Sequence, residues 1–145
     1  MKTRYFALVF GFIFLIAGIL GFIPRLLTPP AGGAPALAVE SYYGYLFALF
    51  PVNVLHNLGH VLLGLWGLAA WRSFTAARTY ARSMTVIYAV LAVCGLIPGL
   101  NTLFGLAPLF SNDIWLHAIA AIVAAYFGWA PVPAVGTAQQ PGLRQ

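Results

Sequence analysis

Three histidines, His56, His60 and His117, are the only imidazoles in a chain of 145 residues. Imidazole is the side chain best suited to ligate a metal or carry a proton near neutral pH. Around the first two the sequence reads Asn53-Val-Leu-His56-Asn57-Leu-Gly-His60-Val-Leu-Leu-Gly64. At about 100° per residue, Asn53, His56, Asn57, His60, Gly64 and Gly67 fall on one helix face. The polar side chains thus share a face with the glycines, where another helix can approach closely. Near the C-terminus Asp113, His117, Ala120, Ala124 and Gly128 form a second stripe of the same kind. Asp113 and His117 are i and i+4, close enough for the carboxylate to accept the imidazole proton.

The elements that must position these residues follow from composition. Hydrophobic residues make up 62% and charged residues 6%, against about 45–50% and 25% in soluble domains. Such a chain lacks the polar side chains to cover a soluble globule, so the expected class is all-α integral membrane. A spanning helix needs about 20 apolar residues, and four stretches qualify: 5–23, 52–71, 83–100 and 114–130. They form a four-helix transmembrane bundle in a single domain, 1–130, followed by a mobile tail, 131–145. Lys2 and Arg4 precede the first stretch, which is long for a cleaved leader and is read as a retained helix.

Basic residues orient the bundle. Lys2, Arg4, Arg72, Arg78, Arg82 and Arg144 fall on one side, whereas the opposite loops carry Arg25, Glu40 and Asp113. The positive-inside rule makes both termini cytoplasmic and the protein multi-pass in a bacterial inner, or thylakoid-type, membrane. In the long outer loop TPPAGGAP is a run of turn-formers. Residues 41–50 are apolar but too short to span, and fit either an interfacial or a re-entrant segment. Ser111 or Asn112 is placed to cap the last helix, with Asp113 at its positive end. Gly21-Phe22-Ile23-Pro24 and Gly95-Leu96-Ile97-Pro98 end the first and third stretches, which raises two repeated helical hairpins as an architecture.

With parallel second and fourth helices, His56 and His117 lie at similar depth and His60 one turn, ~6 Å, deeper. Four chemistries fit. The histidines can be polar glue between helices, hydrogen-bonded to Asn53, Asn57 or backbone carbonyls. His56, His60 and His117 can hold Zn, Cu or Fe, with Asn53, Asn57 and Asp113 as supporting groups. One imidazole can be the axial ligand of haem or a chlorin, or the three can relay protons. Gly64, Gly67, Ala120, Ala124 and Gly128 are the close-packing positions. The lone Cys94 makes neither a disulfide nor a thiol metal motif. Seven basic residues, scattered, exclude a nucleic-acid surface. There is no phosphate loop, nucleophile elbow or pair of acids for hydrolysis, so a soluble-type enzyme is not expected. A transporter is disfavoured because four helices enclose little pore.

Asn53-x-x-His56-Asn57-Leu58-x-His60-x-x-x-Gly64, followed by Asp113-x-x-Leu116-His117, resembles the bacterial membrane family catalogued as domain of unknown function 4383. The resemblance covers nearly the whole chain. It implies a small protein of about four spans with these motifs on the second and fourth helices. One departure stands out: the family pattern places an Asn three residues before the Asp, whereas this chain has Phe110 there and Asn112 adjacent. The resemblance supplies no activity. The function expected is a non-catalytic membrane subunit or accessory protein, in a larger complex or a homo-oligomer within the lipid bilayer. The alternative is a metal-, haem- or chlorin-binding membrane protein, redox or sensory.

Overall fold

The computed structural model describes residues 2–131. The segment expected to be mobile, from residue 132 onward, lies outside them. Four α-helices dominate: α1 (Lys2–Leu20), α2 (Val54–Ala70), α3 (Phe74–Leu96) and α4 (Asn112–Trp129). Between α1 and α2 lie a 3₁₀ turn at Pro24–Leu26 and three short strands, β1 (Leu27–Thr28), β2 (Gly44–Leu46) and β3 (Phe50–Val52).

Helix boundaries follow backbone chemistry rather than hydrophobicity. Gly21 and Pro24 stop α1. Asn53 is extended and its side chain accepts from the His56 amide, which opens α2. Ser73 does the same for α3, accepting from Ala76 at 3.1 Å. That cap starts α3 at Phe74, nine residues before the 83–100 stretch that apolarity marks out. The helix also ends early, at Leu96, because Ile97 precedes Pro98 and is held extended. The other three helices start and stop within three residues of their expected bounds. Neither candidate cap of α4 acts as one. Ser111 holds the N-cap position with φ 63° and makes no side-chain cap bond, and Asn112 donates to Leu49 O at 3.1 Å.

The outer loop corrects the all-α expectation. Residues 41–50, expected as an interfacial or a re-entrant segment, form no helix: they supply β2 and lead into β3 of an antiparallel sheet ordered β1-β2-β3. Leu46 pairs with both Leu27 and Phe50. Alternation of apolar and aromatic residues suits a half-covered strand as well as an apolar helix, and seven to ten residues do not separate the two by length.

The helices pack as two hairpins, α1 with α2 and α3 with α4. In the first, glycines bring the backbones together: a Cβ on Gly64 would lie 2.5 Å from Leu15 N and 2.8 Å from Gly11 O. One on Gly67 would meet Ala7 O at 2.8 Å. In the second, the buried residues Ala77, Ala81, Met84 and Tyr88 of α3 share a core with Ala120, Ala121 and Ala124 of α4. A Cβ on Gly128 would come within 3.0 Å of the Arg82 side chain. Two helices, α1 and α3, are long and apolar enough to cross a membrane. Only 33% of each apolar window is buried, so most of it faces outward. The apolar α2, at 17 residues, is about 25 Å long.

The far end from the sheet is basic, and its arginines close helix ends. Arg4 donates to Trp71 O at 2.7 Å, and Arg78 and Arg82 both donate to Gly128 O at 3.0 Å. These carbonyls lie in the last turns of α2 and α4, where intrahelical partners run out.

The glycine seam predicts a sharp contrast. Gly64→Ala drives a methyl group into backbone atoms that cannot swing away, and should cost about 1–3 kcal/mol. Gly59, with nothing within 4 Å of its Cβ position, should accept Ala and gain up to about 1 kcal/mol of helix propensity. Thermal unfolding of the detergent-solubilised variants checks both signs.

Candidate functional site

The first turn of α2 is where the sheet end of the bundle is tied together. Asn53 is fully buried. While its oxygen caps α2, its amide nitrogen donates to Val39 O at 2.9 Å and Leu106 O at 2.7 Å. One side chain therefore joins the α1–α2 loop and the α3–α4 loop to the same helix. Asn57, one turn on, donates to Gly21 O at 2.7 Å, and a Cβ at Gly21 would collide with the Asn57 amide. The two loops also bond directly, Gly105 O accepting from Ala38 N at 2.9 Å. Gly105 has φ +86°, and a Cβ there would sit 3.0 Å from that same nitrogen. Both conditions require glycine.

Beneath this layer sits the charged and imidazole cluster. His56 Nδ1 lies 3.1 Å from Pro108 O. A carbonyl only accepts, so Nδ1 carries the hydrogen and Nε2 keeps its lone pair. Asp113 Oδ2 is 3.6 Å from His56 Nδ1, beyond hydrogen-bond reach. Asp113 and His117 are each 2% exposed, yet Asp113 Oδ2 and His117 Nδ1 have no hydrogen-bond partner. Buried polar atoms left in this condition are uncommon and costly.

The structure brings together His56, Asp113 and His117, whose donor atoms all lie within 4.8 Å of one another. His60 stands apart from that set. Its ring is 4.6 Å from the His56 ring and stacks on Phe14 at 5.4 Å. The Asp113 carboxylate has turned across to α2 and makes no bond to His117 on its own helix. Turning it along α4 would satisfy one local pair, but α4, packed against α3 and β3, presents it to His56 instead. Asn53 and Asn57 serve the loops and bond to no histidine ring. Gly64 and Gly67 lie lower, against α1, and Ala120, Ala124 and Gly128 line the α3–α4 side.

Residues 4–130 match the family described as domain of unknown function 4383. The chain belongs to that family. No curated protein and no solved structure matches it. The family assignment spans all four helices and both halves of the cluster, and names no reaction.

Two participants escaped sequence reasoning. Pro108 contributes a backbone carbonyl, which no side-chain pattern announces. Tyr88 is fully buried with its ring 5.1 Å from His117; a hydroxyl-bearing aromatic in mid-span was the signal that could have found it. A cavity of about 150 Å³ opens between α2, α3 and the 97–111 loop, touching His56, His60, His117 and Tyr88.

Asn53 gives the sharpest structural test. Asn53→Ala removes a cap and strands two loop carbonyls, and should cost about 2–4 kcal/mol. Asn53→Asp keeps the cap oxygen and loses both donors, so it should recover only part of that loss. Melting temperature should rank wild type above Asp and Asp above Ala, with protease cleavage in loop residues 29–43 rising in the same order.

Proposed function

We propose that this is a four-span membrane protein that binds a divalent transition-metal ion through His56, Asp113 and His117. The observation that carries the reading is the meeting of three donors within 4.8 Å, two of them with unpartnered atoms in a buried site. Two imidazoles and one carboxylate are the donor set of open zinc sites and of the non-haem Fe(II) facial triad. With ligands about 2.0–2.1 Å from a common centre, the three side chains must draw inward by small rotations. Asp113 Oδ2 and His117 Nδ1 are free to do so, whereas the His56 nitrogen that lies 3.6 Å from Asp113 is Nδ1, which must give up its hydrogen and the Pro108 contact to ligate. Between His56 and His117 the space is benzene-sized, about 150 Å³, too small for a tetrapyrrole on that side.

The same reading places all four helices across the bilayer with the arginine end, and hence both termini, in the cytoplasm of a bacterial inner or comparable membrane. Its supports are the outward apolar faces and the segregation of basic residues. A reporter fused after residue 145 should report a cytoplasmic location, and one inserted at residue 32 the opposite side. Matching locations for the two would overturn the topology.

A non-catalytic subunit of a larger membrane complex, or of a homo-oligomer, is the second reading. It is favoured by strongly exposed aliphatic side chains such as Leu62 and Ile122, at 66% and 69%, which a partner helix would cover as well as lipid does.

Metal analysis separates the two. Purified protein should carry Zn or Fe near one ion per chain. His117→Ala and Asp113→Ala should each lose more than about 100-fold in affinity, beyond the 10–100-fold that losing a supporting group costs. Tyr88→Phe should keep the ion. Binding should weaken on acidification, because imidazole ligates only without its extra proton. Equal metal content in wild type and His117→Ala would overturn the metal reading.

A further inference from the structure

The two hairpins pack tightly within themselves, but α1 and α4 pass each other loosely. Two hollows lie along that seam. The upper one, about 340 Å³, runs between Ile13 and Ile16 of α1 and Leu116 of α4, roofed by Phe47 and Phe50 of the hairpin. The lower one, about 370 Å³, continues the seam past Val9, Phe10 and Val123 toward Lys2. Each falls in the size range of ligand sites. Ile13 and Ile16 remain 54% and 52% exposed, so the upper hollow opens sideways, toward lipid.

Its walls are apolar except where His56, His60 and Asp113 reach it. These polar groups gather at the outer end, under the roof. Asp113 offers a buried oxygen without a partner. The ring of His60, outside the metal set, makes no hydrogen bond among the described residues. No Lys or Arg lines this hollow, so an anionic headgroup would be buried there with no cation to pair it. A hydroxyl is different, since it both donates and accepts. It can donate its single hydrogen to the Asp113 carboxylate while its oxygen accepts from a His60 ring N–H. A carboxylate has about four lone-pair sites, enough to serve an ion and a hydroxyl together.

We infer that the α1–α4 seam binds a neutral single-chain lipid bearing a hydroxyl. The hydroxyl sits between Asp113 and His60, and the chain runs down the seam toward the basic end. Long-chain alcohols and alkyl quinols share this chemistry. The site is entered from the bilayer and stands whether or not a metal binds beside it.

The test uses full-length protein in phosphatidylcholine nanodiscs and a long-chain alcohol carrying a mid-chain diazirine, with photolabelled residues mapped by mass spectrometry. Labels should fall on residues 9–20 and 116–127. Excess hexadecanol or an alkyl benzoquinol should suppress them at least tenfold, and whichever competes better identifies the source. Hexadecane and palmitate should not compete. Ile16→Trp, which fills the hollow, and His60→Leu, which removes a polar partner, should each cut labelling at least tenfold. Ile16 faces outward, so this variant carries the test if His60→Leu fails to fold. Competition by hexadecane equal to that by hexadecanol, or wild-type labelling in a folded Ile16→Trp protein, would overturn the inference. Metal measured in the same samples separates this from the metal reading: His117→Ala should lose the ion and keep the label.

Discussion

The buried amide of Asn53 is the constraint on which the outer half of the protein depends. It opens α2, holds a carbonyl from each of the two long loops and sits without exposure at their junction. In hydrocarbon or in a dry protein interior a backbone carbonyl without a partner is expensive. Irregular loops can therefore reach this depth only where a side chain meets them. Asn57 with Gly21 and His56 with Pro108 extend the arrangement by one turn. The first turn of α2 thus acts as a polar post around which sheet, loops and α4 are assembled.

That post explains why the cluster beneath it is half satisfied. Asn53, Asn57 and one nitrogen of His56 are committed to backbone carbonyls. Asp113 and His117 come from a helix whose placement is set by the sheet and by the alanine-rich seam with α3. Their free atoms, Asp113 Oδ2 and His117 Nδ1, are left unpaired, with Asp113 against the α1–α4 hollow and His117 against the α2–α3 cavity. Each unpaired atom costs on the order of 1–3 kcal/mol, and Asn57 Oδ1 and the Tyr80 hydroxyl are left in the same condition.

The two ends of the bundle use opposite chemistry for the same purpose. At the outer end, amides and an imidazole meet loop carbonyls. At the opposite end Arg4, Arg78 and Arg82 meet the last carbonyls of α2 and α4, and lie over Trp71, Phe74 and Trp129. The arginines that mark one side of the membrane in a topology argument therefore also finish helices. Between the ends, glycine draws α1 onto α2 and alanine draws α3 onto α4, and the seam between α1 and α4, held apart by larger side chains such as Ile13, Ile16 and Leu116, stays loose enough to hold hollows.

Much of this was legible in the residues themselves. Four helices follow from four apolar stretches, and the inward face of α2 follows from the shared angle of Asn53, His56, Asn57, Gly64 and Gly67, because helical periodicity is local. The approach of His56 to His117 follows from helices running in the same direction. Other features were not local. The sheet of residues 27–52 depends on pairing between segments whose apolar pattern suits helix and strand alike. The early start of α3 depends on one serine cap. The turn of Asp113 toward α2, the separation of His60 from the donor set and the gap between α1 and α4 are consequences of how finished helices meet. Sequence determines which faces are polar and which are small; only packing in three dimensions decides which polar atoms find partners and which are left free.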